Sequence, residues 1–194
     1  MRVIAGLAKG RKLMTREGQD TRPTTDRSRE ALFAMLQFEV PGTRFLDLFA
    51  GSGGVGIEAL SRGAQEAVFV ELSRDAAYCI RSNVKTTGFE ACSRLLIKDV
   101  YQAIRQLGQE GQRFDIIFMD PPYDHDLEMP CVQAILEAGI LEEEGLIVVE
   151  SSSKTDIIPP DDRLSLEKVR DYKVTRFSFL RNTAVPSAVE SRME

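Results

Sequence analysis

Five short apolar runs, each separated from the next by a segment that reads as helix, constrain the fold of this chain more than any other feature. They are Phe45-Leu46-Asp47-Leu48-Phe49, 67–72, 95–97, 114–119 and 145–150. A strand that is apolar along its length, rather than at every second position, is covered on both faces. The intervening segments 57–62, 74–87, 101–107 and 132–138 supply the cover; in 74–87, Ala76, Ala77, Ile80 and Val84 fall at helical spacing. The pattern predicts an α/β fold with a mostly parallel sheet and helices on both faces. Two further stretches, 164–172 and 173–181, have no helix-sized gap between them. They predict a closing hairpin that adds at least one antiparallel strand, and Arg176-Phe177-Ser178-Phe179-Leu180 alternates as a half-exposed strand does. Upstream, residues 2–14 with Gly6 and Gly10 read as a small hairpin. Asp26 is placed to cap a helix of about 12 residues, with Ala31, Leu32, Met35 and Leu36 on one face and Pro41-Gly42 stopping it.

A length of 194 residues with 43% hydrophobic content suits one main domain. The expected division is an extension over 1–25, a main domain over 26–181 and a flexible tail over 182–194. No run of about 18 apolar residues is present to span a membrane, and no signal peptide is evident. Cys79, Cys92 and Cys131 make neither a disulfide framework nor a metal clip, as expected of a cytoplasmic protein. The net charge of −5 is uneven. Residues 1–29 carry eight Arg or Lys against three acids, a balance of +5, which leaves −10 for the rest. The basic segment reads either as a phosphate-contacting patch or as a solvated arm.

The first apolar run leads into a Gly-x-Gly-x-x-Gly loop at Gly51, Gly53 and Gly56, and an acid, Glu71, stands at the end of the next strand. Glycines let the backbone turn tightly and approach a ligand, and the acid can accept from both hydroxyls of a ribose. A P-loop would end in Lys and Ser or Thr; this one ends in Gly56-Ile57-Glu58. A dinucleotide would place its pyrophosphate beside Asp47, where the charges repel. S-adenosylmethionine has no phosphate and carries an ammonium and a sulfonium, so Asp47 suits it. Asp99 ends the third strand, either accepting from the adenine amino group or capping the next helix, or both. Phe49, Ser52, Leu72 and Val100 complete the candidate cofactor contacts.

Asp120-Pro121-Pro122-Tyr123 follows the fourth strand. Two prolines make a stiff turn without spare N–H donors. The Asp120 carboxylate and the Pro121 carbonyl are then two acceptors for the two hydrogens of a base amino group. Pulling on both hydrogens frees the nitrogen lone pair for attack on a methyl group, with no metal. Tyr123 can stack on a flipped-out base. Cys131 is a weak candidate for a thiol nucleophile, and His125 reads as a loop residue.

Two stretches go beyond this general pattern: Arg22-Pro23-Thr24-Thr25-Asp26-Arg27-Ser28-Arg29-Glu30-Ala31-Leu32-Phe33, and 45–53 continuing to Glu58-Ala59-Leu60-Ser61-Arg62-Gly63-Ala64. With Asp120 to Tyr123 they resemble the bacterial 16S ribosomal RNA guanine-N2 methyltransferase family (RsmD-like), over about residues 1 to 181. The resemblance implies a Rossmann-like class I methyltransferase with a seven-stranded sheet, an antiparallel last strand and an N-terminal β-hairpin. It implies transfer from S-adenosylmethionine, with S-adenosylhomocysteine as product, to one guanine of 16S ribosomal RNA within an assembled small subunit. It also gives Arg11, Lys12, Arg22, Thr24, Arg27 and Arg29 the role of RNA contacts in a monomeric protein. A DNA adenine-N6 or cytosine-N4 methyltransferase and a non-catalytic binding module remain alternatives. The absence of room for a separate target-recognition domain disfavours the first, and the intact motifs disfavour the second.

Overall fold

The computed structural model describes residues 1–15, 26–122, 126–172 and 175–183. Its elements run α1 (Asp26–Met35), β1 (Arg44–Leu48), α2 (Gly54–Ser61), β2 (Glu66–Glu71), α3 (Arg74–Thr87), β3 (Ser93–Ile97), α4 (Val100–Gln109), β4 (Phe114–Met119), α5 (Glu128–Ala138), β5 (Leu141–Ser152), β6 (Leu164–Tyr172) and β7 (Thr175–Asn182). The seven strands form one sheet in the order β3-β2-β1-β4-β5-β7-β6. Strands β1 to β5 pair in parallel, whereas β7 pairs antiparallel with both β5 and β6.

The unbroken apolar runs follow from two cores, one on each face. Phe45, Phe69, Ile116, Phe118, Val148 and Phe177 pack on the side of α1, α2 and α3. Their strand neighbours Leu46, Leu48, Val70, Ile117, Met119 and Ile147 pack on the side of α4 and α5. Side chains alternate along a strand, so each face needs its own apolar set.

Several boundaries differ from expectation. Asp26 is the first residue of α1 rather than a cap outside it, and its carboxylate pairs with Arg29 at 3.1 Å. Helix α5 begins at Glu128, before its apolar pattern, and carries Pro130 in its first turn, where a missing N–H costs nothing. Strand β5 begins at Leu141 because a bulge absorbs the acidic residues 142–144: Phe114 pairs with Leu141, but Ile116 pairs with Leu146. The expected tail overlaps the sheet, since β7 reaches Asn182; residues 184–194 lie outside the described residues.

The N-terminal hairpin is present as a loop closed by one antiparallel bridge, Arg2 to Lys12, with Val3 N donating to Arg11 O at 3.0 Å. Buried polar groups dock it. Glu58, fully buried in α2, accepts from Ile4 N at 2.8 Å and Ala5 N at 3.0 Å. The Ser61 hydroxyl accepts from Ala8 N at 2.9 Å and donates to Ala5 O at 2.5 Å. Asn83 accepts from Met14 N at 2.6 Å and donates to Met14 O at 2.9 Å. Gly6 lies at φ 78°, and a Cβ there would stand 1.7 Å from the Ser61 carbonyl oxygen, so no other residue fits.

Candidate active site

The strand order reverses between β1 and β4. In open α/β sheets the crevice beyond the carboxyl ends of the strands at such a point is where ligands bind. Leu48 of β1 lies opposite Met119 of β4, so the glycine loop and Asp120 leave adjacent strands side by side. Leu48 also lies opposite Val70, and Glu71 opposite Ile97, which carries Glu71 and Asp99 to the same edge. Sheet register therefore gathers Asp47, Glu71, Asp99 and Asp120 from four neighbouring strands.

The glycine loop is held by carboxylates. Glu71 accepts from Gly51 N at 2.8 Å through one oxygen and from Ser73 N at 2.7 Å through the other. Asp47, 1% exposed, accepts from Gly56 N at 2.9 Å. Gly56 has to be glycine because a Cβ there would lie 2.4 Å from the Phe69 ring, and this lets α2 lie directly on the sheet. Phe49 sits at φ 62°, a left-handed conformation uncommon for a bulky side chain and costly enough to be concentrated at ligand sites. Burial pushes the Asp47 carboxyl up to about 7; the Gly56 N–H opposes this, and the charges of Asp120 and Glu71 add to it.

Asp99 caps α4, accepting from Tyr101 N at 3.0 Å and Gln102 N at 3.4 Å through one oxygen. Val100, the first residue of α4, is buried, whereas Leu72 beyond β2 is 69% exposed. Ser52 contributes its carbonyl, which accepts from the Asn83 side chain at 2.9 Å. Asp120 is half-buried, Pro121 buried and Pro122 exposed at the end of β4. Tyr123 and His125 lie outside the described residues, as do Arg22 and Thr24. Cys131 is fully buried beside Tyr101, and burial pushes its thiol up to about 11, unsuited to a nucleophile.

Of the basic residues expected to meet phosphate, Arg11, Lys12 and Arg27 are exposed. Arg29 is not, and the expectation for it is corrected. It is 1% exposed, donates to the Arg2 carbonyl, pairs with Asp26 and lies 3.7 Å from Glu58, so its guanidinium is spent inside the protein. Sequence reasoning missed Glu58, Ser61 and Asn83 as the groups that dock the N-terminal segment on α2 and α3. Asn83 bonds Met14 and Ser52 at once, so one buried amide touches both that segment and the glycine loop. A readable signal existed for Asn83, a polar residue at helical spacing from Ala76 and Ile80 on the buried side of α3; α2 is buried on all sides, so Glu58 and Ser61 stand out only as polar residues in an apolar helix.

This strand order, with a glycine loop after β1 and an acid ending β2, defines the Rossmann-like class I methyltransferase fold. A family model described as "Conserved hypothetical protein 95" matches residues 1–181. The chain is 38% identical to a "Putative rRNA methyltransferase YlbH" of Bacillus subtilis, over 90% of this chain and 95% of that one. It is 36% identical to a "Ribosomal RNA small subunit methyltransferase D" of Escherichia coli, over 87% and 84%. A solved putative methyltransferase from Escherichia coli superposes with a TM-score of 0.83 at 32% identity, covering 95% of this chain and 99% of the other. A putative methyltransferase solved with S-adenosylhomocysteine shares the fold at 16% identity and a TM-score of 0.65, over 80% of this chain and 48% of that one. The chain belongs to the Conserved hypothetical protein 95 family of methyltransferases, whose members include those named ribosomal RNA small subunit methyltransferase D.

Proposed function

We propose that this chain transfers a methyl group from S-adenosylmethionine to the exocyclic N2 of a guanine in 16S ribosomal RNA of the small ribosomal subunit, acting as a cytoplasmic monomer. The observation that carries the reading is the adjacency of the glycine loop and the Asp120-Pro121 turn at the sheet's switch point. The names of the family's relatives support ribosomal RNA as the substrate.

The residues present fit the cofactor. Asp47, Glu71 and Asp99 are all carboxylates, and a Cβ at Gly51 would meet nothing within 4 Å, so the loop borders open space. Such a site favours a cation with hydroxyl and amino donors and opposes phosphate. Glu71 would take the ribose hydroxyls on lone pairs not engaged by Gly51 and Ser73. Asp47 would face the amino group, and Asp99 the adenine amino group through the oxygen that does not cap α4. Leu72, Phe49 and Val100 would flank the base, with Gly53 and Ser52 along the loop.

When bound, the cofactor supplies a methyl group on a positively charged sulfur, and the carbon–sulfur bond breaks as the nitrogen–carbon bond forms. Asp120 and the Pro121 carbonyl would accept from the two amino hydrogens, localising the lone pair on the nitrogen that attacks. One of those hydrogens leaves as a proton after transfer. Pro122 stiffens the turn, and Tyr123 would stack on the base. Arg11, Lys12, Arg22, Thr24 and Arg27 would hold RNA phosphates, with residues 1–25 acting as the RNA-contacting extension.

Asp47 gives the site a pH dependence. Its carboxyl is raised in the free protein, so the contribution of its neutral form to folding is full below pH about 4 and is lost as pH rises through about 7. Cofactor binding has the opposite sign, because the ammonium and sulfonium favour the ionised form. Affinity measured by calorimetry should fall by as much as about tenfold per pH unit below about 7, and Asp47→Asn should flatten the profile while stabilising the free protein above pH 7. An unchanged profile in that variant would reject the role of Asp47. The substrate class is tested by incubating the protein with labelled S-adenosylmethionine and either small ribosomal subunits, naked ribosomal RNA or DNA. Label should enter RNA; label in DNA alone would overturn the reading.

A further inference from the structure

Most arginines on the acidic body are neutralised locally. Arg44 pairs with Glu66, Arg94 with Glu110, Arg163 with Asp161, Arg176 with Asp156 and Asp171, and Arg181 with Glu39 and Glu167. Helix α3 departs from this pattern. Arg74, Tyr78, Arg81 and Lys85 recur at i, i+4, i+7 and i+11 and share one face. That face lies opposite the buried side of α3, made by Ala76, Cys79, Ile80 and Asn83. All four residues are exposed, Tyr78 to 66%, and none of the three cations forms an ion pair among the described residues. Arg74, Tyr78 and Arg81 line an open groove together with Ile97, at the carboxyl end of the edge strand β3. The groove therefore runs up to the flank of the site, two residues from Asp99.

We propose that this face of α3 is a second RNA-contacting surface, where Arg74, Arg81 and Lys85 bind successive phosphates of a strand flanking the target nucleotide and Tyr78 stacks on one of its bases. The surface rests on the reading of this chain as an RNA methyltransferase. Charge complementarity selects the occupant: α3 carries three cations and one acid, Asp75, on a chain of net charge −5. From Arg74 to Lys85 the helix advances about 16 Å, enough to meet several phosphates of one strand. An exposed aromatic between cations is the combination that holds single-stranded nucleic acid without reading its sequence. The helix also leads out of Glu71, so RNA held here lies beside the cofactor loop without occupying it.

The test compares wild type, the triple variant Arg74→Ala/Arg81→Ala/Lys85→Ala, Tyr78→Ala and Tyr78→Phe for binding to small ribosomal subunits across a salt series. Methyl transfer to the subunits and calorimetric binding of S-adenosylhomocysteine are measured alongside. The triple variant should lose about 2 from the slope of log affinity against log salt, three phosphates at about 0.7 each. Tyr78→Ala should weaken binding about fivefold or more at an unchanged slope, and Tyr78→Phe should restore it. S-adenosylhomocysteine affinity should stay at the wild-type value in all variants, showing an intact fold. If the triple variant binds and methylates subunits with the wild-type slope and Michaelis constant, this surface is refuted while the enzyme reading stands. If wild type itself methylates no RNA, the enzyme reading fails and this surface falls with it.

Discussion

Asp120→Ala should remove methyl transfer while leaving cofactor binding close to wild type. The carboxylate ends β4 beside the glycine loop, and its partner acceptor, the Pro121 carbonyl, belongs to a turn that two prolines hold stiff. Loss of one preorganised acceptor at a reacting centre costs at least about 3 kcal/mol in the transition state, more than a hundredfold in rate. The cofactor groups on β1, β2 and β3 are untouched by the substitution. One secondary effect follows from the site's electrostatics. The Asp120 charge helps hold the Asp47 carboxyl high, so its removal should lower the pH at which cofactor binding strengthens. Asp120→Asn keeps an acceptor oxygen in place and should lose less than the alanine variant. Single-turnover transfer and calorimetry separate the two effects; near-normal transfer in Asp120→Ala would refute the proposed chemistry.

Glu58→Ala should produce the largest loss of stability of any single change considered. Glu58 is fully buried, accepts two backbone N–H groups of the N-terminal loop and the Arg62 side chain, and lies beside the buried Arg29 guanidinium. Removing it takes one of two carboxylates from a buried cation and the acceptor from two part-buried donors at once. Breaking a buried pair in this way costs about 3–5 kcal/mol, which in a chain of this size lowers the melting temperature by about 10 °C. Among the described residues the Arg29 Nε and Nη1 make no hydrogen bond, and the Glu58 carboxylate lies 3.7 Å from Nε. The loop should also come away from α2 and become open to proteolysis. A melting temperature within about a degree of wild type would contradict this.

These two residues show what the sequence carried and what it hid. The sheet was legible because its strands are apolar on both faces, and the place of Asp120 at the end of β4 was legible because an apolar run stops there against two prolines. Register then did what sequence spacing cannot: it brought together four carboxylates separated by up to 73 positions, from Asp47 to Asp120. Arg29 was misread because it was counted as a charge rather than placed on its helix. Arg29, Leu32, Phe33 and Leu36 recur at helical spacing and are all buried, so the arginine sits in an apolar stripe and needs an internal partner. Glu58, the only acid in α2, is one of its partners. A lone acid on one buried face and a lone base on another were visible in the sequence, but only the fold shows that they meet. The early start of β5 was hidden because three glutamates, 142–144, break its apolar pattern at a bulge.

Under the proposed function, the acceptors at the switch point direct a methyl group onto an exocyclic amino nitrogen of guanine. The most direct measurement is to methylate small ribosomal subunits with this protein, digest the RNA and identify the modified nucleoside by mass spectrometry. N2-methylguanosine should appear at a single position and be absent when Asp120→Ala replaces the wild type. A methyl group on a ring carbon, a ribose oxygen or an adenine or cytosine amino group would contradict the proposed function.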